Sequence, residues 1–185
     1  MTNAEIAASI TTFTGKRFYL LNPIVEDIDI ADIAHATAML TRWTGHTLYH
    51  YSVAQHSVYC SMIVAPEFAF EALMHDASEA YMNDMNRPLK HYTEAGVAYR
   101  RQEAVVQGAI RKRFGLLEVE PPEVKAADNQ MLFAEKAQIM HGAPWDSSLS
   151  IHEDHGTANI KIEKWSPEFA EQAFLATFTM LYKGE

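Results

Sequence analysis

Helical periodicity, cut at short intervals by proline, glycine and capping residues, most constrains what this chain can fold into. Over residues 29–43, Ile30, Ile33, Ala34, Thr37 and Leu40 recur on one face, with Asp29 as N-cap and Gly45 as the stop. Ser52 and Gln55 stand at capping-box spacing and open a second helix over residues 52–64, closed by Pro66. A third helix is expected over residues 67–82, and a long amphipathic one over residues 88–114, ended by Gly115. Pro121-Pro122 opens another, which lasts to about Met140. Ser166-Pro167 starts a terminal helix with Phe169, Ala173, Phe174, Phe178 and Leu181 on its buried side. Residues 142–165 carry no clear period and read as a loop, with an extended piece over residues 159–164. The exception to helix is TTFTGKRFYLL, residues 11–21, a short hairpin with Gly15 in its turn and Phe13, Phe18 and Tyr19 around it. The expected fold class is all-α, a helical bundle with a short N-terminal β-hairpin, in one domain spanning residues 1–185.

Bulk properties narrow the function classes. Hydrophobic residues make up 48% of the 185, enough to bury a sizeable core. No stretch approaches the roughly 18–20 apolar residues that span a bilayer. The first residues, MTNAEIAASITTFTGKR, show no charged n-region followed by an apolar h-region, so a cytoplasmic setting is expected. Cys60 is the only cysteine, which excludes an internal disulfide and any cysteine-cluster zinc module. The formal net charge of −9 repels a nucleic-acid polymer, and the densest basic run, Arg111-Lys112-Arg113, fits a helix C-terminus. A small anionic substrate stays compatible, because a bound metal reverses the local sign.

The segment ALMHDASEAYMND, residues 72–84, carries the chemistry. His75 and Asp76 sit inside an apolar stretch expected to be helical, with Glu79 one turn beyond His75. An imidazole beside two carboxylates in such a setting is costly unless something pairs with them, and a divalent cation is one such partner. A hydrogen-bonded His–Asp pair within the core is the other reading of this segment. His56 falls on the stripe Val53–His56–Cys60–Ile63, and Asp128 on Val124–Asp128–Met131–Leu132, so both are expected to point inward. An isolated buried Asp is rare without a partner. Two imidazoles and two carboxylates suit a divalent transition metal: Co, Mn, Zn, Ni or Fe.

SVAQHS (residues 52–57), HDASE (75–79) with Asp84, and VKAAD (124–128) together resemble the H…HD…D signature of the HD-domain phosphohydrolases. The likeness covers residues 10–140 and is strongest to compact bacterial 5′-deoxynucleotidases and to short phage and prophage HD proteins, among them a dATP triphosphohydrolase. It implies an HD-domain helical bundle in which His56, His75, Asp76 and Asp128 bind the metal. It implies further that Glu79 and Asp84 orient or activate the attacking water, and that Lys90 and Lys125 hold substrate phosphates. Arg42-Trp43 resembles an Arg–Trp pair that packs on the nucleoside, at a slightly different spacing from His56. The resemblance also implies a homo-oligomer, a dimer or higher.

The roles have independent physical sense. A divalent ion lowers the pKa of bound water from about 15.7 towards neutrality, a carboxylate moves the proton, and lysines counter phosphate charge. Trp43 offers a flat face for a base, although a large aromatic at this position is equally at home in a core. His46, His50, His91 and Tyr92 neighbour these segments without a defined role. HEDH, residues 152–155, lacks the HExxH spacing of a zincin. No Walker A loop, GxSxG elbow or GxGxxG fingerprint occurs. The expected activity is hydrolysis of a deoxynucleoside triphosphate to nucleoside and triphosphate. The alternatives are a 5′-deoxynucleotidase acting on monophosphates and a non-catalytic metal or nucleotide sensor. A cyclic-dinucleotide phosphodiesterase lacks support, since the GYP-type extension is missing.

Overall fold

The computed structural model describes residues 2, 6–142 and 156–184. Strands β1 (Ser9–Thr11) and β2 (Arg17–Tyr19) pair antiparallel with Ile10 opposite Phe18, and Gly15 takes a positive φ of 83° in the turn between them. This is the expected hairpin, two residues earlier at its start. It docks through Phe18, buried and stacked on Tyr81, and through polar contacts: the Thr14 amide and hydroxyl donate to the Asp32 carboxylate at 2.6 and 3.0 Å, and Lys16 pairs with Asp29 at 3.1 Å.

Eight α-helices follow among the described residues. α1 (Ile30–Met39) starts on Asp29, whose carboxylate accepts the Ala31 amide at 3.0 Å. It stops at Met39 rather than near Trp43. The next residues extend, and Thr41 bridges to Ser52, with the Arg42 amide on the Tyr51 carbonyl at 2.9 Å. α2 (Val53–Ile63) is capped by Ser52 Oγ, which accepts the Gln55 amide at 3.1 Å. Only half of the expected capping box forms, because the Gln55 side chain turns to Tyr59 and to the Glu163 carbonyl. Every residue from Val53 to Ser61 is buried, so α2 is a central helix that reaches solvent only in its last turn, at Met62. Its Ala54 and Val58 join a core with Phe18, Ile33, Leu73, Ile110 and Phe174. Its Tyr59 and Cys60 join a second core with Tyr51, Val124, Met131 and Ile139.

The helix expected over residues 67–82 is not continuous. A 3-10 turn (Pro66–Phe68) leads into α3 (Ala69–Leu73), tight turns occupy residues 74–78, and α4 (Glu79–Met82) follows. His75 and Asp76 therefore lie in a break, not on a helix. The cause is a competing set of partners for the backbone. The His75 ring donates to the Ala72 carbonyl at 2.7 Å. The Gln107 amide donates to the Met74 carbonyl at 2.8 Å and accepts from the Ser78 amide at 3.1 Å. One side-chain amide thus satisfies a donor and an acceptor that the interrupted helix leaves over.

The helix expected over residues 88–114 also divides. α5 (Arg87–Tyr92) ends at Thr93, which is extended and caps α6 (Glu94–Phe114) by accepting the Gly96 amide at 3.1 Å. Gly96 sits against α5 so closely that a Cβ there would lie 2.3 Å from the carbonyl oxygens of both Leu89 and Lys90. Gly115 closes α6 in the left-handed region, as expected. α7 (Pro122–Ile139) and α8 (Pro167–Leu181) match their sequence signals. On α8, Phe174 and Phe178 are buried with Ala170, but Phe169 is 52% exposed and lies edge-on to Trp165 instead of entering the core.

Residues 156–165 form neither helix nor strand and are strapped along α7. Gln138 grips the strap from both sides, accepting the Ile162 amide at 3.0 Å and donating to the Ile160 carbonyl at 2.8 Å. His152 and His155 lie outside the described residues. No helix among those described is long and apolar enough to cross a membrane.

Gly96→Ala is expected to lower stability by about 1–3 kcal/mol, because the added methyl meets backbone that cannot rotate away. A thermal melt reads this directly; an unchanged midpoint would show that α5 can shift off α6 without cost.

Candidate metal centre

Three elements bring ligand-type side chains to one buried point. α2 supplies His56, fully buried, and Cys60 one turn later. The break between α3 and α4 supplies His75 and Asp76, and α7 supplies Asp128. His56 Nε2 stands 3.3 Å from Asp128 Oδ1 and 3.9 Å from Asp76 Oδ2. His75 Nε2 stands 3.1 Å from Asp76 Oδ2, and the two imidazole rings are 5.3 Å apart between centroids. All four residues expected to bind metal are thus brought together.

The imidazoles are oriented by what their other nitrogens hold. His75 donates from Nδ1 to the Ala72 carbonyl, which leaves Nε2 buried and without a hydrogen bond of proper geometry. His56 donates from Nδ1 to Glu135 Oε1 at 2.6 Å, which turns Nε2 towards Asp128 and Cys60 Sγ, the latter at 3.3 Å. Both rings therefore present a lone pair to the same space, the arrangement that metal-binding histidines adopt when their second nitrogen is anchored. The ligand atoms of His56, Cys60 and His75 all lie within 4.8 Å of one another, and this buried group could hold a metal ion.

Glu135, fully buried, is the centre of a network that the sequence pattern did not single out. Besides His56 it accepts from Tyr51 Oη at 3.0 Å on Oε1, and from Trp43 Nε1 at 2.8 Å and Arg42 Nε at 3.2 Å on Oε2. Burial works against its charge, but Arg42, His56 and these hydrogen bonds outweigh it and hold the carboxyl below the ordinary glutamate range. A signal was there to read: Glu135 stands two turns after Asp128 on the same helix face, and Cys60 one turn after His56. Tyr51 and Gln107 left no comparable trace.

The remaining expected site residues are placed around this core. Arg42 is buried, with its guanidinium facing Glu135, Asp76 at 3.4 Å and Asp128 at 3.9 Å. Trp43 is fixed through its indole nitrogen to Glu135. Lys125 donates to Asp128 Oδ2 at 2.6 Å from a half-exposed position. Lys90 pairs with Glu103 at 2.7 Å. Glu79, the first residue of α4, is 4% exposed with Oε2 unpartnered. Burial, then the charges of Asp76 and Asp84, push its carboxyl well above the glutamate range. Burial also raises Asp84, against the pull of Arg42. Asp128 is the opposite case: burial opposes its charge, but His56 and Lys125 hold it far below the usual carboxylate range. His46 is exposed, and His50 donates to the Ala38 carbonyl at 3.0 Å.

These features define a helical protein with a candidate metal site ringed by carboxyl groups. No family model matches the sequence. It is 45% identical over 130 residues to the uncharacterized protein YfdR of Escherichia coli (strain K12), covering 70% of this chain and 71% of that one. It is 37% identical over 123 residues to an uncharacterized protein of Rhodobacter capsulatus, with 62% of each chain covered. The chain belongs to the YfdR family.

Glu135→Gln is expected to weaken divalent-metal binding by about 10–100-fold, the loss typical of a partner that orients a ligating imidazole. Competition against a chromophoric chelator measures it. Unchanged affinity would reduce Glu135 to a packing role.

Proposed function

We propose that this chain is a metal-dependent phosphohydrolase of the HD type, acting on a deoxynucleotide. The observation that carries the reading is the meeting of His56, His75, Asp76 and Asp128, with the buried Glu79, whose Oε2 has no hydrogen bond, near enough to feel the Asp76 charge. The donor set, two imidazole nitrogens and two carboxylates, fits a divalent transition ion such as Co, Mn, Zn, Ni or Fe. Such an ion supplies Lewis acidity and acidified water when bound.

The chain's own residues supply the rest. Glu79 keeps its proton to higher pH than an ordinary glutamate, because burial and two neighbouring acids disfavour its charge. It can therefore deliver a proton to a leaving oxygen and take one from water in turn. Asp84, whose carboxyl is raised the same way, is the second candidate for that task. Lys125 reaches solvent from the rim and can trade Asp128 for a phosphate oxygen, while Lys90 adds positive charge that both Glu79 and Asp84 feel. Arg42 stays with the three carboxylates and offsets their repulsion. The Trp43 indole, fixed by Glu135, supplies a flat apolar surface for the nucleoside. Two lysines at the site favour a substrate with several phosphates, so the preferred reaction releases nucleoside and intact triphosphate.

One experiment tests the class and the preference together. Metal-loaded protein is incubated with a panel of deoxynucleoside mono- and triphosphates, and the products are separated by chromatography. Inorganic triphosphate and nucleoside are expected from a triphosphate; orthophosphate from monophosphates alone would point to a 5′-deoxynucleotidase, and no turnover of any member would reject the hydrolase. Glu79→Gln should retain metal and lose about 10²–10⁴ in turnover. Each charge-assisted phosphate contact is worth roughly 1.5–3 kcal/mol, so Lys90→Ala or Lys125→Ala should cost about 10–100-fold in kcat/KM for triphosphates. Equal losses for mono- and triphosphates would remove the lysines from the distal phosphates.

A further inference from the structure

Cys60 occupies an unusual place for the chain's single cysteine. It lies one helical turn after His56, fully buried, and its sulfur is 3.3 Å from His56 Nε2, the nitrogen that faces both Asp128 and Asp76. It belongs to the second apolar core, but its sulfur does not meet carbon alone. The sulfur faces the ligand edge of an imidazole whose other edge is locked to Glu135.

The spacing fits shared coordination. Two ligands bound to one ion at about 2.0 Å (nitrogen) and 2.3 Å (sulfur), at the roughly 90–110° of a four- or five-coordinate site, stand about 3.0–3.5 Å apart, and a nitrogen–oxygen pair slightly closer. The edges are 3.3 Å for Cys60–His56, 3.3 Å for His56–Asp128 and 3.1 Å for His75–Asp76. A second observation points to the same place. His75 Nε2 is buried without a hydrogen bond, and one ligand atom from each of His75, His56 and Cys60 falls within 4.8 Å of the other two.

A coordinating thiol gives up its proton on binding, here to solvent, so the step balances as one proton released for one metal–sulfur bond formed.

We infer that Cys60 is a ligand of the metal centre, and that its sulfur biases the site towards zinc and cobalt(II) over manganese and magnesium. Thiolates bind borderline and soft ions well, whereas carboxylates and water suit the hard ones. The inference rests on the metal centre of the proposed function but not on its nucleotide substrate.

The test uses the whole chain, stripped with chelator and reloaded with cobalt(II). A near-ultraviolet sulfur-to-cobalt charge-transfer band is expected in the wild type and should vanish in Cys60→Ser, which still binds cobalt through nitrogen and oxygen. Zinc affinity of Cys60→Ser should fall at least the 10–100-fold that loss of an outer partner costs, with manganese affinity nearly unchanged. Should that variant not fold, X-ray absorption of the zinc-loaded wild type reads the same point: a sulfur scatterer at about 2.3 Å supports the inference. Stoichiometric metal with no sulfur band and no sulfur scatterer overturns it while leaving the hydrolase reading intact. A chain that binds no divalent ion overturns both. Absence of nucleotide turnover alongside a clear sulfur band would reject the hydrolase and leave the sulfur ligand standing.

Discussion

The buried carboxylate of Glu135 is the interaction on which the rest of the site depends. An uncompensated carboxylate at zero exposure costs several kcal/mol, and it stays ionised here because four donors from three separate parts of the chain close on its two oxygens. The donors come from the loop after α1, the approach to α2 and α2 itself, while the acceptor belongs to α7. Satisfying one charge therefore fixes four backbone segments relative to each other. It also fixes the tautomer and direction of His56, so that Nε2 faces the acids of the candidate centre.

The loop that delivers two of those donors bears backbone strain. Trp43 and Thr44 both have positive φ, 57° and 54°, where side chains with a Cβ are disfavoured and Thr is β-branched as well. Such residues cost on the order of 1–3 kcal/mol each and persist only where surrounding contacts over-determine them. The contacts are visible: Arg42 on three carboxylates, Trp43 on Glu135, and the Thr41–Ser52 bridge closing the loop behind them. The sharp turn sends Arg42 inward and holds the indole at the edge of the site.

The two interrupted helices serve the same region. Between α3 and α4, Gln107 takes over the orphaned backbone groups and allows His75 and Asp76 to leave helical geometry. A continuous helix would spread those two side chains about 100° apart around its axis, whereas the turn brings the His75 nitrogen to 3.1 Å from the Asp76 carboxylate. Between α5 and α6, Thr93 and Gly96 fold the chain back so that Lys90 on α5 meets Glu103 on α6. The Lys90 charge pulls against the upward shift of the Glu79 and Asp84 carboxyls, which links the second break to the acids beside the centre.

Sequence alone determined the elements whose signals are local. Asp29, Ser52 and Ser166 cap helices because a short polar side chain reaches an amide two or three residues on. Gly15 and Gly115 mark positive φ, and His56 and Asp128 fall on apolar stripes that must face inward. Helix breaks at residues 74–78 and at Thr93 escaped that reading, since each is stabilised partly by a residue or a close approach from another part of the bundle. The same holds for Phe169, which the helical stripe sends inward but which meets Trp165 at the surface. Only the tertiary structure could decide that Glu135, Tyr51, Trp43 and Arg42 share one carboxylate. That choice is made by the electrostatic need of a buried charge for donors, and those donors are up to 93 residues away along the chain.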